Sequence, residues 1–373
     1  MDFTQLISDL TKGFDKFTWL NALMILVALV LIYLAIWKEY EPVLLLPIGF
    51  GCLLANLGMS NEIGFMKVIY DAGIKTELFP LLIFIGVGAM IDFSPLLSQP
   101  SLVLLGAAGQ FGIYFTLLLA IVLGFPLREA AAIGSIGAID GPTAIFVGER
   151  LAPNILAPIA VAAYSYMSLI PIIQPPIMRL MTTRKERLIR MEYSPKPVSR
   201  LTLVLFPIIV TLLVAFVAPD AAPLMAALML GNLLREALVV DRLSKMVQNE
   251  LINIATLFLG LAIGSTMTAQ SFLNLDTLKI LALGLLAFVV DTIAGLLFGK
   301  LMAVVTHGKV NPLVGACGIS AFPMAGRLSA KMALEEDPSN FILMHAMGAN
   351  TAGQLGSVIA GGVLLALVYG FIP

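Results

Sequence analysis

Residues 134–143 read GSIGAIDGPT, and the rest of the chain is organised around them. Asp140 stands inside a long apolar region and is followed by the helix-breaking pair Gly141-Pro142. An ionisable group at membrane depth is costly and by default marks a functional site. A helix broken beside it frees backbone carbonyls and amides, which only protein or a polar cavity can tolerate. Residues 311–327, NPLVGACGISAFPMAGR, have the same skeleton. Gly134, Gly137 and Pro142 match Gly315, Gly318 and Pro323, each 181 residues later. Ordinary kinked helices with packing glycines would explain either stretch alone. Two at matching positions point instead to the ion site of a transporter built from repeats.

Hydrophobic residues make up 59% of the 373 and charged residues 12%, with a mean hydropathy of +0.98. An average soluble domain is about 25% charged, so the chain reads as an all-α polytopic membrane protein. A net charge of -1 without a basic domain offers nothing to nucleic acid. Cys52 and Cys317 lie in apolar segments and imply no disulfide framework. His307 and His345 lack ligand spacing, which argues against a zinc centre. No GxxxxGK[ST] loop is present, so ATP does not drive the chain directly.

In residues 1–18 the apolar positions fall on one helical face, predicting an amphipathic helix at the membrane interface or at a subunit contact. Apolar runs at 20–37, 42–58, 77–93 and 101–124 precede the broken element 129–148 and a long span at 154–180. The loop 181–200 holds the densest positive charge and is expected to face the cytoplasm. After it, 201–373 repeats 19–180: GNLLRE at 231–236 matches GCLLAN at 51–56, and 311–327 matches 129–148. About 10–12 membrane elements in two repeats result, each repeat with one broken or re-entrant helix. Lys12, Lys16, Lys67, Lys75 and Arg128 favour parallel repeats by the positive-inside count. The inverted arrangement is preferred here, because the half-elements on either side of Pro142 are each too short to span alone.

The stretches DGPTAIF, AVAAYSYMSLIPIIQPPIMR, NPLVGACGISAFPMAGR and HAMGANTAGQLGSVIAGG together resemble the β subunit of sodium-translocating, biotin-dependent decarboxylases. That family comprises the oxaloacetate, methylmalonyl-CoA and glutaconyl-CoA decarboxylase pumps. The resemblance runs from about residue 20 to the end. It implies a subunit of the inner cell membrane that decarboxylates carboxybiotin and exports Na+, with uptake of a proton. Implied partners are a carboxyltransferase α subunit, a biotin carrier protein that holds the biotin, a small single-span membrane subunit, membrane lipid and further copies of the chain. Carried over position by position, it implies functional roles for Asp140, Tyr166, Asn311, Gly315, Ser320, Arg327 and Asn350.

The residue types suit that chemistry. Na+ is a hard cation and takes oxygen ligands. Asp140 supplies one negative charge, while Asn311, Ser320, Asn350 and carbonyls freed at Pro142 and Pro323 supply neutral oxygens. A bare carboxylate at this depth is unfavourable, so Asp140 is expected to take a proton when Na+ leaves. Tyr166 is a candidate to hold an ion ligand or relay a proton, and is preferred to Tyr164. Arg327 suits the carboxylate of carboxybiotin. Asp291 and its repeat counterpart Gln110 suggest a polar pair, or a second ion or proton site. Thr351 and Gln354 adjoin Asn350. Without the resemblance, a Na+-coupled secondary transporter or a Na+/H+ antiporter fits these features equally well.

Overall fold

A computed structural model describes residues 17–40, 42–60, 62, 64–192 and 197–371. The expected amphipathic segment 1–18 therefore falls almost wholly outside the described residues, as does part of the basic loop. Every regular element among the described residues is helical. The principal helices of the first half are α1 Trp19–Trp37, α2 Pro42–Asn56, α3 Gly64–Gly73, α4 Leu78–Met90, α5 Leu102–Ala108 and α6 Phe111–Val122. They continue with α7 Leu127–Gly134, α8 Gly141–Leu151 and α9 Leu156–Met181. The second half holds α10 Arg200–Val217, α11 Ala222–Ala237, α12 Ile252–Thr266, α13 Leu275–Val305, α14 Met324–Glu336 and α15 Leu343–Phe371. Among the described residues, 6 spans are long and apolar enough to cross a membrane, or up to 8 if each of two bent helix pairs is one span. One bend, of 62°, falls in α9 between Met167 and Leu169. Pro171 explains it, since its nitrogen has no hydrogen for the Met167 carbonyl one turn back.

The chain forms two compact units, residues 1–79 with 253–278, and 80–252 with 279–373. Neither coincides with a sequence half; each unit draws on both. In the first unit, α2 crosses α12 backbone to backbone. A Cβ on Gly51 would lie 2.6 Å from the Leu261 carbonyl, and one on Gly264 would lie 2.2 Å from that of Ile48. The Asn56 amide closes the crossing by donating to the Met267 carbonyl at 2.8 Å. Small residues allow this approach, and close packing is what drives helix association in lipid.

The second unit contains the same kind of crossing between α4 and α11. There a Cβ on Gly231 would lie 1.9 Å from the Ile85 carbonyl, and Asn232 donates to the Ile91 carbonyl at 3.0 Å. GCLLAN and GNLLRE thus perform the same job on helices drawn from opposite halves. Both broken elements lie in this second unit. Each is backed by one helix: α6 packs on the first at Gly134 and Gly137, and the long α13 packs on the second at Gly315. Ile113, Ile133, Phe146, Leu313, Val314 and Leu364 belong to its fully buried core.

Candidate ion site

The first break is built by three consecutive departures from helix. α7 tightens into a 3-10 turn over Ser135–Ala138. Ile139 then takes a left-handed conformation (φ 53°), and Asp140 is extended (φ -134°, ψ 100°). A left-handed β-branched residue is strained, and such strain persists only where the surroundings enforce it. α8 restarts at Gly141, with Pro142 in the first turn, where its missing N–H costs nothing. Gly141 is required by space: a Cβ there would stand 2.1 Å from the Tyr164 ring.

Asp140 is 5% exposed. Three neutral side chains converge on its Oδ2: Thr143 Oγ1 donates at 2.7 Å, Gln354 Nε2 at 2.8 Å and Ser357 Oγ at 2.9 Å. Gln354 and Ser357 lie on one face of α15, and Asn350 lies one turn back on that face. Donors to an ionised oxygen stabilise it without cancelling its charge. The arrangement therefore holds an anion in place and leaves its charge to a cation or a proton.

The second break begins with Asn311, which caps the 3-10 turn Pro312–Gly318 by accepting the Leu313 N–H at 3.0 Å. Ile319 is extended, the Phe322-Pro323 peptide is cis, and α14 starts at Met324. The carbonyls freed at the end of this turn are met by amide side chains from α9, from α15 and from the interruption between α5 and α6. Gln174 donates to Ala316 O at 2.8 Å, Gln110 to Gly318 O at 3.2 Å and Asn350 to Ile319 O at 2.7 Å. Each of these amides turns a buried oxygen with no hydrogen-bond partner the other way. Ser320 Oγ donates to Gly353 O at 2.9 Å, and Gln110 Nε2 shares that acceptor at 3.2 Å. The two breaks meet directly, the Ser320 N–H pointing to the Ala138 carbonyl at 3.4 Å.

Of the residues named from sequence, Gln354 bonds Asp140 itself. Ser320, Asn350 and Gln110 gather around the second break, and Thr351 is buried beside Asn350 with its hydroxyl unpartnered. Gly315 serves close approach, since a Cβ on it would stand 2.1 Å from Gly295 O. Asn311 is occupied elsewhere, its Nδ2 donating to the Arg187 carbonyl at 3.0 Å and to that of Ile189 at 2.8 Å. Tyr166 is partly buried between α9 and α13, where its hydroxyl donates to Leu281 O and its ring rests on Gly284. Arg327 is exposed in the first turn of α14 and makes no ion pair among the described residues. Asp291 is fully buried and accepts the Gly112 N–H at 2.7 Å.

Sequence reasoning missed Thr143, Ser357, Gln174 and the ring of Tyr164. Ser357 was within reach, because 350, 354 and 357 follow helical spacing. Gln174 gave no such signal, since its partner carbonyl lies 142 residues away.

Residues 20–368 match the family profile described as Na+-transporting oxaloacetate decarboxylase beta subunit. The chain is 54% identical to the methylmalonyl-CoA decarboxylase subunit beta of Veillonella parvula, over 96% of this chain and 95% of that one. It is 50% identical to the glutaconyl-CoA decarboxylase subunit beta of Acidaminococcus fermentans, over 98% of both. Against the oxaloacetate decarboxylase beta chain of Klebsiella pneumoniae it is 47% identical, over 93% of this chain and 95% of that one. With a buried carboxylate in the first of two touching breaks and likeness along nearly its whole length, this polytopic membrane protein belongs to the β-subunit family of the Na+-transporting decarboxylases.

Proposed function

We propose that the chain carries Na+ across the inner cell membrane at Asp140, driven by decarboxylation of carboxybiotin that a carrier protein presents. The observation that carries this reading is the convergence of Thr143, Gln354 and Ser357 on one oxygen of Asp140, beside the second break. One carboxylate and neutral dipoles suit a monovalent cation, because the loaded site is then electrically neutral. Asn350 Oδ1, which has no donor, is the neutral oxygen available on the same helix face. When the cation leaves, a proton takes its place on Asp140, since a bare anion in this interior is unfavourable. That exchange links Na+ export to proton uptake.

Arg327, exposed at the start of α14, is the group that meets the carboxylate of the incoming carboxybiotin. A carboxyltransferase α subunit, a small single-span subunit and further copies of the chain complete the assembly. The acid feeding it is an acyl-CoA thioester. Identity supports this, at 54% and 50% with the methylmalonyl-CoA and glutaconyl-CoA relatives against 47% with the oxaloacetate one. The test uses the assembled complex in vesicles. Asp140→Asn should lose both Na+-dependent decarboxylation and Na+ uptake by about 100-fold or more. Normal uptake in that variant would overturn the assignment, and uptake by the wild type without any decarboxylation would make the chain a simple antiporter.

A further inference from the structure

Among the described residues only two carboxyl side chains are buried, Asp140 and Asp291. The surroundings of Asp291 differ from those of Asp140 in one respect that matters. The helix of the first half is interrupted at Gly109-Gln110, between α5 and α6. The Ile113 N–H reaches back to the Gln110 carbonyl at 3.3 Å, while that of Gly112, at the start of α6, is left to a partner outside the helix. Asp291, reaching across from α13, accepts this Gly112 N–H on Oδ1 at 2.7 Å. Its Oδ2 is enclosed and has no partner. Asp140 has three side-chain donors; Asp291 has a single backbone one.

No compensating charge is near. α6 carries no ionisable side chain beyond Tyr114, the first break over 135–140 carries only Asp140, with Glu149 and Arg150 more than two turns further along α8, and the second break over 311–323 carries only the Cys317 thiol. On α13 the basic residues are Lys279 and Lys300, each more than two turns from Asp291, and Tyr166 rests on Gly284, about two turns back. An ionised carboxylate with one neutral donor and no countercharge is not sustained in such an interior. Na+ would need several oxygen ligands, whereas the one hydrogen-bond partner of Asp291 is a nitrogen.

We propose that Asp291 is a second proton-binding station, distinct from the cation site at Asp140. Its carboxyl group holds H+ on Oδ2 while Oδ1 keeps the Gly112 amide. Gly112 also connects it to the first break, because a Cβ on Gly137 would lie 2.6 Å from the Gly112 carbonyl carbon. The break thus abuts the Gly112–Ile113 peptide, next to the one whose N–H is Asp291's only donor; its movement during turnover displaces that donor and governs a transient release of the proton, the resting state being protonated with or without Na+. The protonation rests on geometry alone; its role in pumping rests on the function proposed above.

The test is infrared difference spectroscopy on the complete complex in lipid. Wild type minus Asp291→Asn should show the C=O stretch of a protonated carboxyl in dry surroundings, persisting at saturating Na+. Wild type minus Asp140→Asn should show such a band only when Na+ is absent. In vesicles, Asp291→Asn should keep the half-saturating Na+ concentration for decarboxylation within about twofold but flatten the pH dependence of Na+ uptake. A difference spectrum with ionised carboxylate bands only, a band removed by Na+, or an unaltered pH profile would each overturn the proposal. Should Asp291→Asn fail to assemble, Asp291→Glu replaces it: the acid band must then persist at a displaced frequency, and its absence counts against the proposal. Failure of the function itself would show instead as Na+ uptake unaffected by Asp140→Asn.

Discussion

Asp140 accepts hydrogen bonds from Thr143, Gln354 and Ser357, and each donor stabilises the anion that must compete for Na+ against H+. A hydrogen bond to a charged group contributes about 1.5 kcal/mol or more. Ser357→Ala should therefore raise the Na+ concentration needed for half-maximal decarboxylation about 10-fold, more so at lower pH, with the maximal rate little changed. A titration of activity with Na+ at two pH values measures this. At this scale much was legible. A lone acid in an apolar run beside Gly-Pro is a strong signal, because few structural needs place one there. Ile139 was illegible: the left-handed turn at 139 would ordinarily call for Gly or Asn, and only tertiary enclosure holds isoleucine in it. Asn311 reads the same in sequence whether it ligates an ion or caps a turn.

The second broken element is held at both ends by the segment 182–190. Asn311 at its start and Asn340 beyond its end both donate to the Arg187 and Ile189 carbonyls, at 2.8–3.2 Å. Arg187 pairs with Glu336 at 2.7 Å, and Arg190 pairs with Asp337 at 2.7 Å. Asn340→Ala should loosen this strap and lower the decarboxylation rate without changing the Na+ requirement; steady-state kinetics separates the two effects. The ion pairs also set a pH response. The Arg187 guanidinium holds the Glu336 carboxyl below its ordinary 4.5, and the Ser339 N–H, with Arg190, holds Asp337 below its ordinary 3.8. Both carboxyls are depressed in the folded state. Their contribution is thus complete above the ordinary carboxyl values and is lost as pH falls below them. Amide hydrogen exchange in 182–190 should accelerate between pH 6 and about 3, beyond its intrinsic pH dependence, while that of α15 does not. The breaks themselves were legible, since glycine and proline punctuate both. Their anchoring was not, because it depends on contacts more than 100 residues apart.

Across the whole molecule, the stretches GCLLAN and GNLLRE, paired in the sequence, each sit at a close helix crossing. That pairing was legible, but no local pattern says that each half contributes to both compact units. Gly231→Leu should prevent the α4–α11 crossing, where a Cβ already meets the Ile85 carbonyl at 1.9 Å. Gly370→Leu, with nothing within 4 Å, should be tolerated. The yield of folded protein after detergent extraction compares them, with a loss for the former expected from backbone separation.

The contact between the Ser320 N–H and the Ala138 carbonyl brings two otherwise separate hinges within reach of a covalent staple. Ala138→Cys with Ser320→Cys, made after replacing the native thiols Cys52 and Cys317, should oxidise spontaneously if the hinges part only briefly during turnover. The stapled pump should stall, and dithiothreitol should release whatever turnover the unstapled double variant retains. The ratio of the two rates would then report whether the hinges must separate for an ion to pass.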